Sequence, residues 1–309
     1  MCYSAQIEAN YAKLVREYGA IMSLEDFARL YTEDRSKRAK TPKAMDDGFS
    51  IARSALGVEI WHAIQQQRSE EAELLEEELF ALQQRKLSAE HALQTKVTKK
   101  AQNDLRIAGN KIARVQGKLA DLASTQAKKQ DSRIYAGMYA PVIISEGGQR
   151  RIVPMRYQCR LAGKPAEYDQ RYPGTYNARR DSLEGFWAPA FGRTHAVLVV
   201  HAFYENVEGP DGRNQVVEFT PSTGEPMLVA CLWSRWVDPD GAEPDLLSFA
   251  AITDAPEPEV AATGHDRTII NIKLQHLDAW LNPDPADLGA LYRILDDKQR
   301  PFYEHQLAA

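Results

Sequence analysis

The pattern of apolar and polar positions changes character along the chain. From Leu105 to Leu122 an apolar residue recurs every three or four positions: Leu105, Ala108, Ile112, Val115, Leu119 and Leu122. That is the period of a helix with one packing face. Upstream, Ala72, Leu75, Leu79 and Leu82 repeat the same spacing. The two seams predict two long helices that fold back near Leu93 to Asn103 as an antiparallel, coiled-coil-like hairpin. No proline falls between Lys43 and Ala140, although the chain has 16, and Glu, Gln, Ala, Lys and Leu dominate there, all good helix formers. Earlier, Ser23-Leu-Glu-Asp26 reads as a helix start with acids in its first turn, and Phe27, Leu30 and Tyr31 form its packing face. A further helix is predicted from about Ser50 through Ile60, Trp61 and Ile64.

After Ala140 the helical period gives way to short β-branched and aromatic runs. Pro141-Val-Ile-Ile, Ala196-Val-Leu-Val-Val, Gln215-Val-Val-Glu-Phe, Met227 to Trp233, Leu247 to Ile252 and Thr268-Ile-Ile read as strands. Asp211-Gly212 and Thr223-Gly224 are turn signals of antiparallel hairpins. A last helix is predicted around Leu288 to Leu295. The pattern gives an α+β fold: a mainly antiparallel β core, flanking helices and an inserted long helical arm.

Composition narrows the class. The chain has 309 residues, 44% hydrophobic and 26% charged, enough for one large core with an appendage. No run of 18 apolar residues is present, so no membrane-spanning helix is expected. The start, Met-Cys-Tyr-Ser-Ala-Gln, lacks the basic and apolar regions of a secretory signal. Three cysteines, Cys2, Cys159 and Cys231, are too few and too scattered for a disulfide framework or a zinc site. A cytoplasmic protein is expected. The net charge of -5 hides an asymmetry: Arg150 to Arg193 carries nine basic and four acidic residues, whereas Glu208 to Glu259 carries eleven acids and two arginines. A local basic face of that kind admits a polyanion although the whole chain is acidic.

Chemistry is concentrated in a few positions. Removal of the initiator methionine would leave Cys2 with both an α-amine and a thiol. Such an aminothiol can close a five-membered ring on an aldehyde, or act as an N-terminal nucleophile. Asn177 can position a carbonyl or a sugar hydroxyl, or simply shape a turn. Glu205, at the end of a strand, can orient an amine and handle protons, or form a surface ion pair. His265, just before Thr268, can shuttle protons near neutrality or play a structural part. Arg156, Arg179 and Arg193 offer guanidinium forks to phosphates, and Tyr157, Tyr172 and Tyr176 lie among them as stacking surfaces for unpaired bases. The chain has no glycine-lysine phosphate loop, no Gly-x-Ser-x-Gly elbow and no His-Glu-x-x-His helix.

Taken in order, Met1-Cys2, Asn177-Ala-Arg179, Phe203-Tyr-Glu205 and Gly264-His265-Asp-Arg267 resemble the SRAP family, the SOS response-associated peptidases that process abasic sites in DNA. Pro154-Met-Arg-Tyr157, Ala230-Cys-Leu-Trp-Ser-Arg-Trp236 and Ala251-Ile-Thr-Asp-Ala255 add to the likeness. The resemblance implies a single domain whose core is discontinuous, about 2–22 and 138–300, with a helical insertion over about 50–130. It implies that Met1 is removed autoproteolytically and that Cys2 forms a thiazolidine crosslink with the ring-opened aldehyde of an abasic site in single-stranded DNA, with possible lyase activity. Asn177 would hold the N-terminal residue and the adduct, Glu205 would serve the amine and methionine removal, and His265 would move protons on the opened sugar. Arg156, Tyr157, Arg179, Arg193 and Arg267 form the expected DNA surface. No metal or cofactor and no membrane is called for. Nucleoid association when DNA is bound, and a protein partner or self-association through the helical insertion, complete the expectation.

Several surrounding positions depart from the family pattern. Tyr3 and Ser4 follow Cys2 where Gly-Arg is usual, Tyr157 replaces a tryptophan, Asn206 replaces the tryptophan after the glutamate, and Thr268-Ile269 replaces Met-Pro. Two other functions remain open from the residues alone: a cysteine peptidase or amidase acting on another substrate, and a non-enzymatic DNA- or protein-binding adaptor.

Overall fold

Apolar alternation in the second half of the chain builds one continuous sheet. The computed structural model describes residues 4–32, 39–209 and 211–308. Cys2, with Met1 and Tyr3, lies outside them. The described strands are β1 (Ser4–Ile7), β2 (Ile21–Met22), β3 (Arg133–Tyr135), β4 (Tyr139–Glu146), β5 (Gln149–Tyr157), β6 (Asn177–Arg179), β7 (His195–Glu208), β8 (Asn214–Pro221), β9 (Met227–Trp236), β10 (Leu246–Asp254), β11 (Thr268–Ile269) and β12 (Tyr303–Leu307). The described α-helices are α1 (Tyr11–Tyr18), α2 (Leu24–Thr32), α3 (Lys43–Asp47), α4 (Ala55–Thr95), α5 (Lys99–Ala123), α6 (Tyr168–Arg171), α7 (Pro258–Ala261), α8 (Leu277–Leu281) and α9 (Leu288–Asp296).

Five strands close on themselves: β4 pairs with β5, β5 with β10, β10 with β9, β9 with β7, and β7 with β4. Closure removes the exposed edges that an open sheet of this size would carry. Val142, Val153, Met155, Leu198, Cys231 and Phe249 belong to the buried apolar cluster of this ring. Most pairings are antiparallel, while β2–β5, β5–β10 and β6–β10 are parallel.

The long strand β7 belongs to two neighbourhoods. Its first half, His195–Val200, pairs with β9. Its second half pairs with β8 over Phe203 to Glu208, and β1 runs along its other side with a register shift between Gln6 and Ile7. Such a bulge bends a strand and re-aims its side chains. As a result Phe203 and Val207 both lie in the buried cluster, and Glu205 sits between them at the same alternation.

The chain divides into two compact units, Met1–Val58 with Lys128–Ala309, and Glu59–Ala127. In the second unit, α4 and α5 form the expected antiparallel hairpin. Its core is Leu75, Leu82 and Val115, with Leu79, Ile112, Leu119 and Leu122 packed around them. The turn is Lys96 to Thr98, and the Thr98 side chain accepts from the Ala101 amide to cap α5. The helix expected from Ser50 starts at Ala55, where the Ser54 hydroxyl accepts from the Gly57 amide.

Candidate functional site

Glu205 is completely buried, flanked on its strand face by Phe203 and Val207 and paired in register with Val217. A carboxylate in such surroundings needs a partner. One arrives from far along the sequence. Gly264 adopts a left-handed φ of 89°, a conformation that a side chain would resist. The turn it makes directs His265 inward, so that Nε2 lies 3.1 Å from Glu205 Oε2. The other ring nitrogen, Nδ1, lies 2.9 Å from the Arg267 carbonyl oxygen. The Arg267 amide also approaches the same nitrogen, at 3.4 Å, so the Arg267 backbone fixes the ring's orientation. Burial lowers the His265 pKa from its ordinary value, against the hydrogen bond to Arg267. The shift favours the neutral imidazole.

Asn177 and Arg179 lie on β6, which runs parallel to β10 with Asn177 opposite Ala251 and Arg179 opposite Thr253. Thr253 is also the register partner of Ile269 in β11, a few residues after His265. Asn177 is buried, whereas Arg179 is exposed and holds Asp181, Nε to Oδ1 at 3.0 Å. The Asp181 carboxyl is held below its ordinary range by hydrogen bonds from Arg179 and Ser182, with the charge of Arg267 contributing. Arg179, Asp181 and Arg267 thus share one electrostatic neighbourhood beside His265.

Other expected contacts fall elsewhere. Tyr157 is 1% exposed, stacked on Phe249 at 5.2 Å between ring centroids and edge-on to Tyr176 at 5.6 Å. It offers no open face to a base, because its strand alternation turns it into the ring of strands. Arg156 is committed as well: it pairs with Asp169 at 2.8 Å and donates to the Gln158 carbonyl. Arg193 is exposed but precedes His195, at the opposite end of β7 from Glu205. The basic segment from Arg150 to Arg193 is largely neutralised by acids from other parts of the chain. Arg150 meets Asp278, Arg151 meets Glu146, and Arg180 meets Asp254 and Asp296.

The other two cysteines are unreactive. Cys159 and Cys231 are buried, and burial raises the thiol of the first to about 12 and that of the second higher still. Among the described residues no group of three or more His, Cys, Asp or Glu is placed to hold a metal ion, and no helix is long and apolar enough to cross a membrane.

Two features escaped the sequence reading. Glu8 in the β1–α1 connection is buried beside His201 (3.1 Å) and Lys13 (2.8 Å); burial alone would raise its pKa, but these partners bring it down to about 2. Arg133 on β3 lies over the Tyr204 ring at 3.7 Å and donates from Nε to the Ser4 hydroxyl at 3.0 Å. Both fasten β1 to β7. Neither has a local sequence signal, since each joins residues far apart in the chain.

No curated protein matches this chain. Among solved structures, a Bordetella bronchiseptica protein is similar at 17% identity and a TM-score of 0.47, covering 60% of this chain and 90% of its own. A Bacteroides thetaiotaomicron protein is similar at 15% identity and 0.47, covering 58% and 78%. A phage-related protein from Bordetella bronchiseptica is similar at 17% and 0.43, covering 60% and 85%. A sequence model of the SOS response associated peptidase (SRAP) family matches residues 92–306, well over half of the chain, so the protein belongs to the SRAP family, with the cysteine-based, abasic-site and DNA-damage-processing role of that family.

Proposed function

We propose that this protein captures abasic sites in single-stranded DNA through Cys2, after autoproteolytic hydrolysis of the Met1–Cys2 bond. The observation that carries the reading is the buried Glu205–His265 pair beside the start of β1. Ser4 is the register partner of Tyr204, the residue before Glu205. That register brings the start of β1 alongside the pair. The inert state of Cys159 and Cys231 leaves Cys2 as the thiol for such chemistry.

In this reading the Cys2 α-amine adds to the aldehyde of the ring-opened sugar and water leaves, giving a Schiff base. The thiol then adds across the C=N bond and its proton passes to nitrogen, which closes a thiazolidine. No oxidant or reductant is consumed. His265 moves the protons of addition and dehydration, Glu205 orients the amine and exchanges a proton with His265, and Asn177 holds the adduct. Arg179 and Arg267 meet the flanking phosphates. Attack by the same amine on the sugar carbon chain's adjacent phosphate is not required; strand cleavage, where it occurs, follows from β-elimination of the Schiff base.

The test is intact-protein mass spectrometry before and after incubation with an abasic single-stranded oligonucleotide. The expected result is loss of Met1, and a covalent adduct that is absent from Cys2→Ala. An intact Met1 with no adduct overturns the proposal. Peptide turnover dependent on Cys2 without an adduct would instead make the protein a peptidase.

A further inference from the structure

The hairpin is divided electrically along its length. Helix α4 carries eight acids and three basic residues, with six of the acids between Glu70 and Glu78, whereas α5 carries six basic residues and two acids. All six basic side chains of α5 are exposed. Its packing seam runs through Ala101, Ala108 and Val115, which are buried. At 100° per residue, Lys99, Arg106 and Arg114 fall on the opposite side, with Lys118 on its flank. Asn103 and Asn110 lie between them, and Asp121 ends the row. Among the described residues none of these four cations forms an ion pair; Arg106 meets only the Asn103 side chain, at 3.0 Å. Of the α5 carboxylates, Asp104 is taken by Arg85 of α4.

We propose that this outer face of α5 is a second nucleic-acid site, a straight ridge that holds the phosphate backbone of duplex DNA without reading sequence. Four unpaired cations spread over 19 residues span about 28 Å at 1.5 Å per residue, about eight base pairs of duplex at one charge per 1.7 Å of axis for the two strands together. The helix has no Phe, Tyr or Trp anywhere along its length, so it lacks the stacking platforms that single strands require. Ile107 is the one large apolar side chain between these cations, too little for a membrane surface or a protein groove as its occupant. The acids of α4 do not cancel the ridge. They lie on another helix 8–10 Å away at the axes and farther at the side-chain tips, beyond about one Debye length at physiological salt.

The site is independent of the Cys2 chemistry, and the experiment keeps the two apart. Full-length protein and the fourfold variant Lys99→Gln, Arg106→Gln, Arg114→Gln, Lys118→Gln are titrated with an undamaged 20-base-pair duplex between 50 and 200 mM salt, by fluorescence anisotropy. Four neutralised phosphates give a logarithmic salt slope of about -3.6, a loss of affinity of about 150-fold over that range. The variant should bind at least tenfold more weakly at 50 mM, with a slope shallower by about 3.6, while its helical circular-dichroism signal and its adduct yield on an abasic single strand match the parent. A Glu73→Gln, Glu76→Gln, Glu77→Gln variant should bind the duplex at least as tightly as the parent. Equal affinity and slope for the parent and the fourfold variant would overturn the proposal. So would an equal preference of the ridge for single strands, or a sedimentation result in which the four substitutions abolish self-association and leave duplex affinity unchanged, because α5 would then be meeting the acidic α4 of a second copy.

Discussion

Acid should loosen this fold at one particular histidine. His195, the first residue of β7, is 2% exposed, with its ring 4.1 Å from that of Trp280 and 5.7 Å from that of Phe191. Its Nδ1–H donates to the Trp280 carbonyl oxygen at 3.0 Å, and its Nε2 accepts from the Gly192 amide at 2.9 Å. Trp280 returns a bond from Nε1 to the Ala196 carbonyl at 3.0 Å, so the ring ties α8 to the sheet. A proton added to Nε2 would face the Gly192 N–H, donor against donor. Burial drives the His195 pKa down to about 3, only partly opposed by the Trp280 bond. In the unfolded chain it is about 6.5. The unfolded state therefore binds the extra proton first, and the stabilisation present above pH 6.5 drains away as the pH falls toward 3. At pH 4.5 one such group costs about 3 kcal/mol. Urea denaturation of the parent and of His195→Gln from pH 7.5 to 4.5 measures this directly. The glutamine amide can supply one donor and one acceptor but does not titrate, so the difference in stability between the two should shrink by about 3 kcal/mol over the interval. Parallel pH profiles would refute the reasoning.

Three further outcomes are expected. Gly192→Ala should lose about 1–2 kcal/mol from its left-handed φ of 77° alone, and its new Cβ would also come within 2.6 Å of Leu288 Cδ2; an unchanged urea midpoint would contradict this. Glu8→Gln should destabilise the protein at neutral pH, and its deficit should close as the pH falls from about 4.5 toward 2, where the parent's own carboxylate is protonated; a deficit independent of pH would show that the His201 and Lys13 pairings contribute little. Replacement of Leu75–Leu122 by a four-residue Gly-Ser link removes the hairpin's own apolar cluster and leaves the sheet's intact. Cooperative thermal unfolding of the remainder is expected, and its loss would mean that the sheet depends on the hairpin.

Periodicity made the hairpin legible because a seam of Leu, Ile, Val and Ala at spacings of three and four has one structural solution. The turn was less visible, because Thr98 caps α5 without glycine or proline. The same holds in the sheet. Runs such as Ala196 to Val200 announce themselves, but β6 is three residues, Asn-Ala-Arg, that become a strand only because β10 continues past the end of β5 and presents an open edge. β12, Tyr-Glu-His-Gln-Leu, owes its strand to pairing with β8 and has one buried side chain in five. At the site, Glu205 and His265 could be singled out as residue types. Their approach to 3.1 Å follows from a bulge beside β7 and a left-handed glycine, neither of which leaves a periodic trace.

Charge was the least legible property, because a segment's net charge is not the charge of any surface. The basic stretch from Arg150 to Arg193 supplies cations whose partners come from Glu146, Asp169, Asp254, Asp278 and Asp296. Its arginines therefore cross-link strands and helices of the sheet unit, while Arg179 stays exposed beside Asn177. The unpaired cations lie instead on α5, inside the proline-free stretch. Ion pairs between distant segments neutralise charge wherever tertiary packing brings acids to bases, while a hairpin whose acids and bases are sorted onto different helices keeps its charges apart. Partitioned in this way, the sheet unit holds the buried Glu205–His265 pair, and the hairpin carries the extended cationic face.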